Sequence, residues 1–568
     1  AHFPPSANNG PEVTELNLEK KLRTQSGKDI WQEYCGFLDL SMEEFMAIQY
    51  RLLDEQIDLL SKCGLGQRFL KGRLPKNADE FRQMVPLTTY DDYADILLLK
   101  RADMLPAPPV VWLQTTWESG NKPEKWAPYS EDMLKIYRTN IIAAMLMSCS
   151  DEKGKFHVRS GYKVLYGLAP MPYATGLFPD LIDSEIKMRF LPSLKEARTM
   201  SFGQQSKVGF KLGIAQGIDM FFGLSSVIHR ISQNFDLPSG GGGMSLKSLF
   251  KMSPVMLYRL LRAKYISRRD NVPVKPCDLF RLQGFVCVGT DTELFKGDLE
   301  KAWGRRPLEV MGGTEPSCIA TETWSKNGLA FFPDTCFYEF IPEQEMLRNL
   351  EDPSYQPRTY LMDQLSANEN YELVITVLKG GSFVRYRPGD VYRCVRLKNP
   401  EDGLDFPQFQ YMDRIPTVID IAGFTRITEN SINHVFELSG IRPADWFALK
   451  KYDDNKRSYL QMYVELSDEA QQSALACSTV LREHLSIYFK YYDSDYEDLK
   501  AMLGIEPLSV TVLPRGTLAR FEQTFGRPIR RIKREGFFLG LIPIFIYSIP
   551  SPHFYRFCRR PYSTRKKR

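Results

Sequence analysis

Apolar residues recur at helical spacing near the start of the chain and form short runs further along. Between residues 13 and 70, apolar positions about 3.6 residues apart alternate with charged ones: Leu38, Met42, Phe45, Ile48, Leu52, Leu53, Ile57 and Leu60. This pattern predicts amphipathic helices. From about residue 107 the apolar runs are short and interrupted by glycine and proline. That texture is typical of a mixed α/β body.

Several of the later apolar runs have the length and flanks of buried strands. They are Val110–Leu113, Tyr162–Tyr166, Pro307–Met311 and Tyr371–Leu378. After a turn at residues 379–381, Phe383–Tyr386 is placed to pair back toward the last of these strands. A glycine-rich loop at 239–243 precedes a helical pattern from Leu246 to about Ser267.

The chain has 568 residues, and single cores stop growing near roughly 250–300 residues, so two or three domains are expected. A charged, proline-bearing segment at 398–407 marks the main boundary. We predict a large α/β N-terminal body over 1–406, with more than one sheet, and a smaller α+β domain over 407–535. In the smaller domain, the strands Leu460–Leu466 and Leu508–Leu513 alternate with the helices Ser431–Leu438 and Ala470–Phe489. Residues 536–568 form an apolar and basic tail.

The composition excludes several classes of protein. Apolar residues make up 43% of the chain and charged residues 25%, as in ordinary globular proteins. A net charge of +5 over this length gives no basis for nucleic-acid binding. The ten cysteines contain no Cys-x-x-Cys pair and the six histidines are dispersed, which predicts reduced thiols and no zinc site. We therefore expect a reducing intracellular compartment, either cytoplasm or an organelle matrix, and the first residues predict no secretory signal.

A polar segment, Gln114–Lys125, directly follows the predicted strand Val110–Leu113. Its small hydroxyl residues and glycine can wrap backbone N–H groups around phosphates, and a lysine adds positive charge. The residues predicted to face phosphate are Thr115, Thr116, Ser119 and Lys125. Taken alone, the segment is equally typical of a polar surface loop.

Two further motifs carry candidate ligand-binding side chains. In Met311–Glu315 two glycines allow close backbone approach, Thr314 can bond a phosphate oxygen, and Glu315 is a hard oxygen ligand suited to Mg²⁺. In Val384–Val391, Asp390 follows a Pro-Gly turn, where a carboxylate can accept hydrogen bonds from two ribose hydroxyls. Each motif alone also occurs as an ordinary turn, with the aspartate stabilising its own backbone.

Together, the three segments resemble the phosphate loop, the aromatic-Gly-x-Thr-Glu motif and the Tyr-Arg-x-Gly-Asp motif of the adenylate-forming superfamily. Within it, the chain is most similar to the auxin-responsive acyl-amido synthetase (Gretchen Hagen) family and its microbial relatives. Leu168–Gly176 and Phe337–Pro342 resemble family segments that line the acyl side. Asp413-Arg414 followed by Gly423–Ile427 resembles the hinge before a mobile C-terminal domain. The resemblance spans roughly residues 30–530.

This resemblance implies an ATP-dependent ligase. A carboxylic acid attacks the α-phosphate of ATP to give acyl-AMP and pyrophosphate, and an amine acceptor then takes the acyl group. By the same resemblance, Thr314 contacts the AMP phosphate, Glu315 holds Mg²⁺ and contributes to catalysis, and Asp390 holds the ribose with Arg387 beside it.

The chain also departs from the family pattern. Trp117 and Glu118 stand where the phosphate loop has a glycine and a hydroxyl residue, and Met311 replaces an aromatic residue expected against adenine. A glutamate beside a polyphosphate is repulsive. The C-terminal catalytic lysine is missing, and Leu513–Arg520 offers Arg515 and Arg520 instead, permanent cations of different geometry. The alternative hypothesis is therefore a catalytically impaired homologue that serves as an accessory subunit of a larger membrane-associated complex, with an organelle as one candidate location.

The C-terminal tail supports that alternative. About a dozen apolar residues from Gly536 contain a proline and are too few for the ~20 that span a bilayer. Basic residues flank this stretch: Arg530, Arg531, Lys533 and Arg534 before it, and Arg556, Arg559, Arg560, Arg565, Lys566, Lys567 and Arg568 after it. This layout is typical of a segment that lies on an anionic membrane surface. A strap packed on the protein's own core has the same apolar pattern.

Overall fold

The structure is a computed structural model that describes residues 17–116, 124–200, 202–235, 252–422, 425–467, 476–492, 496, 500, 504–525 and 532–533. The phosphate-loop positions Trp117, Glu118 and Ser119, the loop 239–243 and the tail 536–568 lie outside these residues. Two compact units are present, one mainly of residues up to Ile415 and the other mainly of residues from Pro416 onward. The predicted boundary after residue 406 was too early, because the strand Gln408–Arg414 pairs with Asp390–Arg396 in the large unit.

The N-terminal helices of the large unit follow the predicted pattern. The longest, Met42–Ser61, begins at a capping box in which Ser41 and Glu44 satisfy each other's backbone N–H groups, and it buries Phe45 and Leu53 completely. The others are Leu18–Thr24, Gly27–Cys35, Gly64–Leu70, Ala78–Met84 and Ala94–Leu97, with 3₁₀ turns at Gly36–Asp39, Tyr90–Asp92 and Ala102–Met104. The predicted helical beginning is confirmed.

An eleven-stranded sheet forms the centre of the large unit. Its strands, in spatial order, are Cys336–Pro342, Asn370–Val377, Asp390–Arg396, Gln408–Arg414, Leu329–Phe331, Ser317–Glu322, Leu308–Gly313, Gly284–Val288, Met220–Leu224, Lys163–Gly167 and Arg189–Leu191. The strand Leu308–Gly313 pairs in parallel with Gly284–Val288 and antiparallel with Ser317–Glu322. It is therefore the point at which a parallel half of the sheet meets an antiparallel half.

The remaining elements of the large unit are helices and two small hairpins. The helices are Glu131–Ser148, Phe178–Glu185, Leu194–Ala197, Phe202–Gln216, Ser225–Gln233, Pro254–Asp270, Pro276–Leu279, Thr292–Trp303 and Glu343–Glu351, with 3₁₀ turns at Ala174–Leu177 and Met362–Gln364. One hairpin joins Val111–Thr116 to Glu124–Tyr129 and the other joins Ser150–Glu152 to Lys155–Phe156.

The predicted strands are present with shifted ends, and one has a different environment. Phe383–Tyr386 pairs back as predicted, since the Tyr386 and Ile375 backbones exchange hydrogen bonds of 2.8 and 2.9 Å. The first predicted strand begins at Val111, and Val110 is 52% exposed. It belongs to a two-stranded hairpin rather than to the large sheet. The helix predicted from Leu246 is described from Pro254 to Asp270.

The second unit contains a four-stranded sheet in the order Leu508–Leu513, Ser458–Leu466, Pro443–Tyr452 and Ile532–Lys533. Its helices are Glu429–Ser439, Ser478–Tyr492 and Thr517–Phe525. Short strands at Val418–Ile421 and Thr425–Thr428 lie where the chain passes from the first unit. This alternation confirms the predicted α+β character, although the sequence pattern missed the strand Pro443–Tyr452.

The state of the cysteines and the character of the helices complete the description of the fold. The nine cysteines in the described part of the chain are free. Across the same residues, no helix combines the length and apolar character that crossing a membrane requires.

Candidate nucleotide-binding site

The second motif forms the turn of a hairpin. Ser317 pairs with Gly313, so residues 314–316 connect Leu308–Gly313 to Ser317–Glu322. A Cβ atom at Gly312 would lie 2.1 Å from the carbonyl oxygen of Ser317, so only glycine fits there. The tight turn directs Glu315 into the core, at 5% exposure, and leaves Thr314 partly exposed.

Glu315 joins residues of the other two motifs in one buried cluster. The Tyr386 hydroxyl donates to Glu315 Oε1 at 2.9 Å, and the Lys125 ammonium donates to the Tyr386 oxygen at 3.3 Å. Lys125 Nζ also lies 3.8 Å from Glu315 Oε1. Lys125 and Tyr386 are only 2% and 1% exposed. Because a buried charge requires a partner, Lys125 and Glu315 neutralise each other here.

Two tyrosines fix the surroundings of the Lys125–Glu315–Tyr386 cluster. The Tyr90 hydroxyl donates to the Trp126 carbonyl at 2.9 Å and accepts from the Trp126 N–H at 2.7 Å, while its ring lies 5.3 Å from Lys125 Nζ. The Tyr129 hydroxyl donates to the Thr314 carbonyl at 2.7 Å. Burial, reinforced by the charge of Glu315, raises the pKa of both tyrosines well above its ordinary value. Both hydroxyls therefore stay protonated and act as fixed donors.

Asp390 lies at the partly exposed end of the third motif. It is the first residue of the strand Asp390–Arg396 and is directly opposite Arg414 in the register. Arg414 Nη2 lies 3.4 Å from Asp390 Oδ1, and the Tyr411 hydroxyl donates to the same oxygen at 3.3 Å. Arg414 also donates to the Pro388 carbonyl at 2.7 Å. These bonds hold the Asp390 carboxylate in one orientation at the start of its strand.

Arg387 faces an internal glutamate. Its Nε and Nη2 atoms both lie 2.7 Å from the carboxylate of Glu372, and Nη1 donates to Asn349 at 2.8 Å. Burial lowers the pKa of Arg387, but the bond to Glu372 outweighs that effect and the pKa is raised. Since Glu372 is fully buried, the guanidinium stabilises this end of the sheet. The sequence reasoning, which placed Arg387 beside the ribose, did not anticipate Glu372.

The other predicted residues lie apart from the Lys125–Glu315–Tyr386 cluster or are only partly described. Thr115 and Thr116 end the strand Val111–Thr116, and their side chains, like all of Ser119, are outside the described residues. In the same strand, the Gln114 N–H donates to the Pro172 carbonyl at 2.9 Å. That bond connects the first motif to Leu168–Gly176, the segment expected on the acyl side.

The hydrophobic residues that were expected to contact ligand are buried. Met311 is 5% exposed and packs in the main core. Phe337 and Phe340, in the segment expected on the acyl side, are 0% exposed. The strand Cys336–Pro342 is therefore covered on both faces.

Arg515 and Arg520 belong to the second unit. Both side chains are exposed, and Arg520 Nε donates to the Gly516 carbonyl at 3.1 Å. The loop before Arg520 is held by Glu465, whose carboxylate accepts from the N–H groups of Gly516 at 2.8 Å and Leu518 at 2.6 Å. The segment predicted to replace the catalytic lysine is thus an ordered turn leading into the helix Thr517–Phe525.

A second buried charge cluster surrounds Lys296 and includes Glu309, on the strand that leads to Thr314. No motif or residue spacing predicted it. Lys296 Nζ is 2.6 Å from Glu293, 2.7 Å from Glu309 and 2.8 Å from Glu322. Glu309 and Glu322 are 4% and 1% exposed. Burial, opposed by Lys296 and reinforced by Glu322, raises the pKa of Glu309 to about 7. The charges come from three separate elements, so no local spacing reveals the cluster.

No group of three or more potential metal-ligating side chains is found among the described residues. Mg²⁺ in nucleotide sites is commonly held by one or two carboxylates and by the phosphates themselves. Glu315 is a carboxylate of this kind, and in the structure it is already in contact with Lys125 and Tyr386.

The chain is similar to known families and folds. The GH3 family N-terminal domain matches residues 35–166, and the GH3 family central domain matches residues 329–414. No curated protein matches the chain by sequence.

Solved structures give the fold. A 2-hydroxyisobutyryl-CoA ligase, solved with 2-HIB-AMP and CoA, is 15% identical with a TM-score of 0.56, over 91% of this chain and 94% of that chain. An acyl acid amido synthetase, AtGH3.15 in complex with 2,4-DB, is 16% identical with a TM-score of 0.49, over 91% and 95%. The first likeness confirms the predicted two-domain α/β fold of adenylate-forming enzymes. The two matched domains follow the family's order and contain the first and third motifs, while Met311–Glu315 lies between them, so the chain is similar to the GH3 family over residues 35–166 and 329–414.

Proposed function

We propose that this protein is an ATP-dependent, adenylate-forming ligase that activates a carboxylic acid and transfers the acyl group to an amine. The observation that carries the proposal is the Lys125–Glu315–Tyr386 cluster, in which one residue from each motif meets in a single buried arrangement. Three independent turns that happened to match the motifs would have no reason to converge.

The chain's own residues supply binding and positioning. Asp390, held by Arg414 and Tyr411, accepts the ribose hydroxyls. The Thr314 hydroxyl, on a residue whose backbone carbonyl accepts from Tyr129, donates to the α-phosphate. Mg²⁺, when bound with ATP, supplies charge neutralisation to the phosphates. Glu315 would be the residue that holds Mg²⁺, and Lys125, which lies beside it, would add positive charge toward the phosphates.

In this proposal the reaction has two balanced steps. A carboxylate oxygen of the acid bonds to the α-phosphorus, and the bond to the β-phosphate bridging oxygen breaks to release pyrophosphate. The amine nitrogen then bonds to the acyl carbon, AMP leaves with the electrons of the acyl–oxygen bond, and the amine loses a proton to solvent. Positioning and charge stabilisation are the protein's contribution to both steps.

Purified full-length protein tests the proposal by Mg²⁺-dependent ATP–pyrophosphate exchange across a panel of carboxylic acids, followed by amide formation with an amine panel. Asp390→Asn removes charge-assisted bonds worth about 1.5–3 kcal/mol and should weaken ATP binding by roughly 10–100-fold in calorimetry. The matched control is Asp363→Asn, at an exposed site in the turn Met362–Gln364, which should bind ATP normally. Equal ATP affinity in both variants would contradict the ribose role.

A second candidate function is favoured by the same cluster. Lys125 and Tyr386 pair with Glu315, and Arg387 pairs with Glu372, so the charges of these side chains are balanced by one another. In a catalytically impaired homologue that serves as an accessory subunit of a membrane-associated complex, these side chains would need only to stabilise the fold. This second function predicts the absence of pyrophosphate exchange with every acid, together with stable co-purification of the full-length chain with partner proteins. Exchange above background with any acid excludes it.

A further inference from the structure

The helix Pro254–Asp270 exposes four large apolar side chains along one face. Val255, Tyr258, Leu261 and Tyr265 are 58%, 67%, 59% and 66% exposed. Their spacing of three, three and four residues places them on one side of the helix. We call them the exposed apolar stripe. Single exposed apolar residues are ordinary, but a contiguous set marks an interaction surface.

The opposite face of the same helix packs against the large unit. Met256 and Leu260 are 1% exposed and Ala263 is 5% exposed, all within one core cluster. The helix begins with Ser253, which caps the Met256 N–H, and ends at Asn271 in the left-handed conformation. The buried face therefore holds the helix on the large unit, and the exposed apolar stripe does not contribute to this packing.

The cations of this helix are mostly unneutralised. Arg262, Lys264 and Arg268 form no ion pair with any residue in the described ranges, and Arg269 pairs with Asp270 at 2.6 Å. Asp270 is the one acidic residue of the helix. The exposed apolar stripe is thus flanked by positive charge along a helix roughly 25 Å long at 1.5 Å per residue.

We infer that this helix is a docking surface for an anionic membrane, lying in the plane of the headgroups. Tyrosine rings favour the boundary between headgroups and acyl chains, and arginine and lysine beside an apolar stripe are attracted by anionic lipid. Protein interfaces are also enriched in tyrosine and arginine, but the excess of positive charge along this helix, with one acidic residue in seventeen, matches an anionic lipid surface, and a protein partner is an outcome that the test distinguishes.

Vesicle flotation of the full-length protein tests the inference. The vesicles contain phosphatidylcholine alone, or phosphatidylcholine with about a third phosphatidylserine, in low and high salt. We expect binding only to the anionic vesicles, weakened by salt. The variant Tyr258→Ser/Leu261→Ser/Tyr265→Ser should lose at least tenfold in partitioning. Arg262→Glu/Arg268→Glu should lose about fivefold or more per reversed charge, from about 1 kcal/mol per cation.

The matched control removes exposed apolar side chains elsewhere. Ile487 and Tyr491, 63% and 80% exposed on the helix Ser478–Tyr492, are replaced by serine, and this variant should bind vesicles like the unaltered protein. Circular dichroism confirms that each variant is folded. Three results overturn the inference: unchanged vesicle binding by the triple serine variant, equal binding to neutral vesicles, or a concentration-dependent dimer that the triple variant abolishes.

A further variant separates the helix from the tail, with Arg565, Lys566, Lys567 and Arg568 changed to glutamate in the full-length chain. If vesicle binding disappears in this variant and persists in the triple serine variant, the tail is the membrane contact and the inference fails. A loss in both supports two contacts with one surface. Vesicle binding is measured without ATP or acid, so its outcome is independent of ligase activity.

Discussion

The buried carboxylate of Glu309 predicts an unusual dependence of stability on pH. Its pKa is raised from 4.5 in the unfolded chain to about 7 in the fold, because burial outweighs the attraction of Lys296. A carboxyl group whose pKa is raised by folding stabilises the fold when protonated. Its contribution is fully present below about pH 4.5 and is lost as pH rises through about 7.

The magnitude follows from the same shift. A difference of roughly 2.5 pKa units at 1.36 kcal/mol each corresponds to about 3 kcal/mol lost between pH 5 and pH 8. In a unit of roughly 400 residues, unfolding entropy converts this to about 3–4 °C in melting temperature. Glu309→Gln removes the titrating group. Its melting temperature should therefore rise relative to the unaltered protein by about that amount from pH 5 to pH 8.

Scanning calorimetry or tryptophan fluorescence of the two proteins across this pH range measures the difference directly. Titrating groups away from Lys296, Glu322 and Glu293 are common to both proteins and cancel. Glu293→Gln is the control, because Glu293 contacts the same lysine but is 46% exposed. It should leave the pH dependence largely intact. Parallel melting curves for the unaltered protein and Glu309→Gln at every pH would refute the reasoning.

Two further predictions concern the Lys125–Glu315–Tyr386 cluster and the hairpin that carries it. Lys125→Met leaves Glu315 buried without its cation and should cost about 3–5 kcal/mol of unfolding free energy, whereas Lys125→Met/Glu315→Gln should recover most of it; equal losses in denaturant titration would exclude the pairing. Gly312→Ala places a Cβ atom 2.1 Å from the Ser317 carbonyl and should lower the melting temperature. Gly297→Ala, in a helix with open space around it, should raise stability by about 0.5–1 kcal/mol; equal effects of the two alanines would contradict the steric argument.

Periodicity and motif order predicted the architecture because both are local properties of the sequence. In the helix Met42–Ser61 and the strand Asn370–Val377, the apolar residues recur as each element requires. Glu315 and Asp390 lie in motifs whose turns contain glycine or proline. Partners across the sheet were not predictable in this way. Glu372 lies 15 residues from Arg387 and binds its guanidinium. No rule of sequence spacing predicts this pair, because the pairing of the strands brings the two residues together. The same holds for Lys296, which gathers carboxylates from separate elements.

Domain boundaries failed for a related reason. The charged, proline-bearing segment at 398–407 has the composition of a linker, but in the fold it is the turn between two paired strands, Asp390–Arg396 and Gln408–Arg414. The charged and proline residues of this segment are typical of a linker, but Asn399, Leu404 and Phe406 within it are buried against the large unit. Register pairing, which only the structure shows, assigns Gln408–Arg414 to the large unit.

The pairing of Asp390 with Arg414 also has a thermodynamic consequence. The Ile415 N–H donates to the Gly389 carbonyl at 2.8 Å, so the loop carrying the candidate ribose carboxylate is bonded to the last residues of the large unit. Any ligand that draws Asp390 from Arg414 changes the free energy of the chain segment at the exit to the second unit. If Asp390 binds ligand as proposed, reciprocity requires that a second ligand that binds at this exit and is coupled to Asp390 changes the affinity there by the same factor. A variant at Arg414, which contacts Asp390 directly, tests that coupling.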